Sequence, residues 1–267
     1  MKRAIWPAAF IALFFISMAT FAVQKRYNGN VSGLLYIGTG VATDKVRCPD
    51  ILDPDLYVRP DSGYDGQYYY FMAMDPFMKT ENRYCMDSGA YRYQRILLPL
   101  LAATFSMGNN KRIPLAIVSI NLLSIVLGTF VFALCCIQYK VNPWVSVLYA
   151  LTNGMVLSVL RSTTEPLCLC MITVASYFYL VKQSRWSSAV FLSLAALSKE
   201  TALAVAGGFL LYDFVKHRSV KLSAAFLLPF AAYLAWQLNI RAHFDFFSFT
   251  VQSHAHFNAG QVGLLGQ

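Results

Sequence analysis

The chain has 267 residues, of which 57% are hydrophobic and only 13% charged. A water-soluble domain carries about 25% charged residues, so the composition argues against that class. The net charge of +9 does not mark a nucleic-acid binder, because the basic residues lie between apolar blocks rather than in one solvated patch, a distribution that reads as membrane orientation.

A membrane-spanning helix needs about 20 mostly apolar residues. Residues 4–23 contain no charge. Lys2 and Arg3 precede them as in a signal peptide. However, Thr20-Phe21-Ala22 is a poor cleavage site and the apolar stretch exceeds an h-region, so the block reads as a retained first span. Residues 24–112 form a long polar loop rich in aromatics, broken into turns by Pro49, Pro54 and Pro60. Within it, residues 64–74 and 91–105 are each expected to form an amphipathic helix at the membrane surface. Further spans are expected over 113–137, 143–160 and 166–181. Two short pieces follow, 186–198 and 201–215, and a last span over 222–240. The expected fold is an all-α membrane protein of about seven transmembrane helices. It forms a single domain over 1–267: the outer loop 24–112, the bundle 113–240 and an outer tail 241–267.

Charge sets the orientation. With the N-terminus inside, the inner segments hold Lys2, Arg3, Lys140, Lys182, Arg185, Lys216, Arg218 and Lys221, with Asp213 the only acid. This is the short-loop cation excess of a cytoplasmic face. Every other acid, Glu165 and Glu200 included, falls outside, so acid–base chemistry is expected there. Cys135, Cys136, Cys168 and Cys170 lie in spans and read as small apolar residues. Cys48 and Cys85 lie in the outer loop, where they can form a disulfide or remain two free thiols.

The densest feature is Asp61-Ser62-Gly63-Tyr64-Asp65-Gly66-Gln67-Tyr68-Tyr69-Tyr70, followed by Asp75-Pro76. Glycines flanking a carboxylate allow tight turns and close approach of a ligand. Such a carboxylate suits a general base or a metal ligand, and the tyrosines suit sugars. The plain alternative is a turn with an interfacial tyrosine belt. Arg92 and Arg95 share a helix face and suit a phosphate, or else snorkel to ordinary lipid. Arg161-Ser162-Thr163-Thr164-Glu165-Pro166 and Lys199-Glu200 place charges between apolar blocks, where they are costly and often functional. The alternative is a solvated loop with an Arg161–Glu165 ion pair. His254 and His256, two residues apart, make a poor metal site, and His243 adds little. There is no Walker loop, GxSxG, HExxH or CxxC pair.

Four segments carry a resemblance: Gly63-Tyr64-Asp65-Gly66-Gln67-Tyr68-Tyr69 with Asp75-Pro76; Tyr91-Arg92-Tyr93-Gln94-Arg95-Ile96-Leu97-Leu98-Pro99-Leu100; Arg161 with Thr164-Glu165-Pro166; and Leu197-Ser198-Lys199-Glu200-Thr201. In these the chain resembles the GT-C superfamily of integral membrane glycosyltransferases, and more closely a bacterial family of polytopic proteins with a YDGQ-type first outer loop. The match runs over about residues 1–240.

The resemblance implies transfer of a sugar from a polyprenyl-phosphate donor to a glycan, lipid or protein acceptor on the outer face of a bacterial inner membrane. Asp65 would be the base. By sidedness and charge, Arg92, Arg95, Arg161 and Lys199 would hold the phosphate leaving group. Glu165 and Glu200 would orient these cations or contact the acceptor, with Tyr64 and Gln67 among the substrate contacts. Asp44, Asp53 and Asp61 are rival bases, since the carboxylate often lies closer to the first span. A divalent metal held by Asp61 and Asp65 is an open alternative; no nucleotide or redox cofactor is expected. The chain stops soon after the seventh span, unlike most members, which fits a compact member, a fragment or a subunit with part of the site. The other readings are a transporter or flippase for lipid-linked glycans and a non-catalytic subunit with membrane-protein partners. The expected partners are membrane lipid and the donor and acceptor, not nucleic acid.

Overall fold

The computed structural model describes residues 2–39, 53–84, 86–219 and 223–250. It is mostly helical. Two helices are long and apolar enough to cross a membrane, Arg3–Arg26 and Asn110–Gln138, and a third is present if a bent pair, Pro143–Ala150 with Asn153–Leu160, counts as one span.

Helix α1 (Lys2–Arg26) buries Ala4, Ala8, Ile11, Phe15, Ala19 and Ala22. Their three- and four-residue spacings make a single seam, directed at α5 (Ile113–Gln138). Four of the six seam residues are alanine, whose small side chains let the two helices approach closely. The opposite side of α1 leaves Ile5, Leu13, Ile16 and Phe21 exposed, an apolar surface suited to lipid.

Between α1 and α5 the chain folds back on itself. Strand β1 (Ile37–Gly38) pairs in parallel with β2 (Val58–Arg59) over two residues, the one strand pairing among the described residues. Helix α2 (Gly66–Met74) differs from the surface helix expected over 64–74. Gly66 through Ala73 are all buried. The run Tyr68-Tyr69-Tyr70-Phe71-Met72 has no polar face, so the helix is enclosed on all sides.

The helix expected over 91–105 is two helices, α3 (Gly89–Tyr93) and α4 (Leu97–Ser106). Pro99 cannot sit four residues after a helical Arg95, because its ring would meet that carbonyl and it lacks an N–H. Helix α11 (Leu228–Phe244) packs at this junction: the Trp236 indole N–H donates to the Tyr93 carbonyl at 2.7 Å, and the Tyr233 hydroxyl donates to the Gln94 side-chain oxygen at 3.1 Å.

The span expected over 143–160 is broken. Helices α6 (Ser146–Ala150) and α7 (Asn153–Leu160) belong to arms bent by 54°. Thr152 is extended at the break, and Asn153 and Gly154 are weak helix formers. Helices α8 (Glu165–Leu180), α9 (Arg185–Ser198), α10 (Ala202–His217) and α11 (Leu228–Phe244) have 16, 14, 16 and 17 residues. The last runs past the expected end at residue 240. Arg241 and His243 favour its C-terminal dipole, and Asp245 closes it at φ 63.

Candidate functional site

The four charged segments meet at one end of the bundle. Their meeting begins with the turn before α2. Gly63 has φ +76, a left-handed conformation that suits glycine. Asp61 fixes this turn by accepting the Gly63 N–H at 3.0 Å, while its other oxygen accepts Arg59 Nε at 2.9 Å. Gly66 permits the closest approach: a Cβ there would overlap the Arg161 carbonyl oxygen and lie 2.6 Å from that of Leu35. The start of α2 therefore presses directly on the loop that ends α7.

Asp65, at the start of α2, is ion-paired on both oxygens. Oδ1 accepts Arg92 Nη1 at 2.9 Å and Oδ2 lies 3.8 Å from Arg95 Nη1. Its side chain stays 37% exposed, so part of the carboxylate faces solvent. Arg92 also grips Asp87 in a fork, Nε to Oδ1 at 3.0 Å and Nη2 to Oδ2 at 3.2 Å, and lies 3.9 Å over the Tyr68 ring. Arg95 makes a second fork onto Glu200, at 3.0 and 2.8 Å, and donates to the Tyr91 hydroxyl at 3.1 Å. Beside it, Lys199 Nζ meets Glu165 Oε1 at 2.6 Å. Bidentate guanidinium–carboxylate geometry is the strong, directional form of such a pair.

The electrostatics follow from this geometry. Burial by itself would raise the Glu200 pKa, but the Arg95 hydrogen bond and charge outweigh it and hold the carboxyl below its ordinary value. Burial opposes the charge on Arg95, yet Glu200 and Tyr69 push its pKa up. The Tyr68 hydroxyl is pushed up to about 12 by burial, with Asp87 adding to it, so it stays a neutral donor.

Arg161 differs from the other cations. It has no ion pair among the described residues; its guanidinium lies 4.4 Å from the centre of the Tyr64 ring and 5.3 Å from that of Tyr36. Arg92, Arg95 and Lys199 are thus compensated by Asp65, Asp87, Glu165 and Glu200, whereas Arg161 has only aromatic faces.

Several expectations are corrected. Arg161 and Glu165 do not pair, because Lys199 takes Glu165. Nor is the connecting loop solvated: Ser162, Thr163 and Thr164 are buried, and Asn121 donates to the Thr163 carbonyl at 2.9 Å. Gln67 is buried. Its Oε1 accepts the Gly38 N–H at 3.1 Å and its Nε2 donates to the Ser62 carbonyl at 3.2 Å, tying the turn to β1. The carboxylates of Asp61 and Asp65 carry arginine partners, Arg59 for the first and Arg92 and Arg95 for the second. Asp53 belongs to another turn, accepting the Asp55 N–H at 2.9 Å with Lys111 3.9 Å away. Asp75 is a buried turn anchor for the Lys79 and Thr80 N–H groups. Asp44, Cys48, Cys85, His254 and His256 lie outside the described residues. Asp87 and Tyr36 were missed. Asp87 stands five residues before Arg92, a readable hint; nothing local marks Tyr36.

Comparison of the chain with protein-family models, curated proteins and solved structures finds no match.

Proposed function

We propose that the chain is a multi-pass membrane glycosyltransferase that takes a sugar from a polyprenyl-phosphate donor. The observation that carries the reading is the convergence at one end of the bundle. It joins a partly open carboxylate, Asp65, two arginines that hold it, and Arg161, a cation without a carboxylate partner among the described residues. In this reading Asp65 accepts the proton of an acceptor hydroxyl. That oxygen bonds to the anomeric carbon of the donor sugar as the bond from this carbon to the phosphate oxygen breaks. The polyprenyl phosphate leaves with the electron pair, and Arg161 meets its added negative charge. The Tyr64 face beside it suits a sugar ring.

The chain would cross a bacterial inner membrane about seven times, N-terminus inside, with this end on the outer face. The exposed stripe Phe230, Leu234 and Leu238 on α11 supports lipid contact by one of the shorter helices, which would cross as a tilted or paired element. The mutual neutralisation of the cluster favours a second reading, in which it is an ionic staple in a non-catalytic subunit of an envelope-assembly complex.

Transfer from radiolabelled polyprenyl-phosphate sugars by purified protein separates the two. A general base contributes roughly 10²–10⁴-fold, and Asp65→Asn is expected to lose transfer by that order while the protein stays folded. Transfer that survives Asp65→Asn unchanged would remove Asp65 from the chemistry. Absence of transfer by wild type, alongside a complex whose activity needs the chain but not Asp65, would establish the staple.

A further inference from the structure

A cavity of about 600 Å³ lies at the opposite end of the bundle, between the first turn of α1 and the C-terminus of α5. Arg3, Trp6, Ile137, Lys140, Asn142 and Trp144 line it. Helix α5 shows that the two ends are distinct. Asn121, in its first half, donates to the Thr163 carbonyl beside the charged cluster at 2.9 Å, whereas Ile137, at its other end, lines the cavity.

Both cations of the cavity are exposed, and neither has an ion pair among the described residues. Asp213, the acid that the charge pattern puts on this face, is buried and taken by Arg185 at 3.0 Å and Ser223 at 3.0 Å. The two indoles are largely exposed, Trp6 at 69% and Trp144 at 49%. Trp144 is held in place: Phe10 stands edge-on to it at 6.0 Å, and the Asn142 side chain accepts its backbone N–H at 3.0 Å. Lys140 occupies a reversal at the end of α5 with φ 59, closed by the Val141 N–H donating to the Cys136 carbonyl at 2.8 Å.

Indoles, with an apolar body and an N–H donor, favour the membrane–water boundary. Basic pockets between membrane helices bind anionic headgroups. We propose that this cavity binds the phosphate headgroup of an anionic phospholipid, with Arg3 and Lys140 on the phosphate and Trp6 and Trp144 beside the glycerol and acyl ester region. The inference rests on α1 and α5 spanning the membrane. It is independent of the transferase reading, since its site lies at the other end and its test does not read activity.

The test uses the full chain in phosphatidylcholine nanodiscs containing a small fraction of brominated phosphatidylglycerol or brominated phosphatidylcholine. Bromine quenches nearby tryptophan fluorescence. Stronger quenching by the anionic lipid is expected. Arg3→Gln with Lys140→Gln should weaken its apparent binding by on the order of 30-fold, about fivefold per charge. Arg3→Lys with Lys140→Arg should retain it, and Lys216→Gln with Arg218→Gln, on α10 and its cap, should leave it intact. Equal quenching by the two lipids overturns the proposal. So does an equal loss in the α10 pair, which would show diffuse attraction. Displacement by millimolar inorganic phosphate would assign the cations to a free anion and overturn the lipid assignment.

Discussion

Glu200→Gln tests whether the ionic cluster holds the bundle together. The Arg95–Glu200 fork joins residues 105 apart in sequence, linking the α3–α4 junction to the α9–α10 turn. The side chains are 13% and 28% exposed. Removing one partner of a fully buried pair costs about 3–5 kcal/mol. Here the carboxylate is partly solvated and glutamine keeps one acceptor oxygen, so about 2 kcal/mol is expected, in the range for hydrogen bonds to charged groups. For a chain of this size that corresponds to a melting temperature lower by roughly 4–8 °C. The assay is thermal unfolding of the purified protein in detergent, repeated for Arg95→Met and the double variant. The cycle should give a coupling of about 2 kcal/mol, within the range for contacting residues. A Glu200→Gln protein melting within about 1 °C of wild type, with no coupling, would show that the pair is solvated and carries no load.

Two further outcomes follow from the same geometry. Gly66→Ala should destabilise by about 1–3 kcal/mol, because its Cβ would overlap the backbone carbonyl of Arg161. Gly154→Ala, whose Cβ meets open space, should be neutral or stabilise by up to ~1 kcal/mol; equal effects in thermal unfolding would refute the close approach. Glu200 has a depressed folded-state pKa, so its contribution is complete above its unfolded value near 4.5 and fades as pH falls through the lower folded value. Melting temperature should therefore hold from neutral pH to about 5 and fall below about 4.5, less steeply in Glu200→Gln; a fall that is equally steep in both would assign the acid sensitivity elsewhere.

Much of the helical framework was readable. The expected span over 113–137 matches α5, Ile113–Gln138, because Arg112 and Pro114 punctuate its start and Lys140 follows its end. The shortness of the pieces around Lys199-Glu200 was readable for the same reason. Helix α2 was misread because aromatic density looks alike on a membrane surface and in a protein interior; only the surrounding elements distinguish them. Within the site, the charged residues stood out as costly exceptions between apolar blocks, but their roles did not. Gln67 beside a carboxylate suggested a ligand contact, whereas β1 supplies the partner that makes it a brace. Arg161 and Glu165, neighbours in sequence, pointed to each other, yet Lys199 reaches Glu165 once α8 packs on α9.

The sequence by itself determined which segments are apolar enough to cross a bilayer, because that free energy is close to a local sum over side chains. It also determined where the cations and carboxylates are concentrated. Only the tertiary structure decided which charge meets which, and that among the described residues Arg161 stands against the Tyr64 and Tyr36 rings rather than a carboxylate. Ion pairing depends on sub-ångström placement of side chains, and here their backbones are fixed by helix packing and by a glycine contact between distant segments.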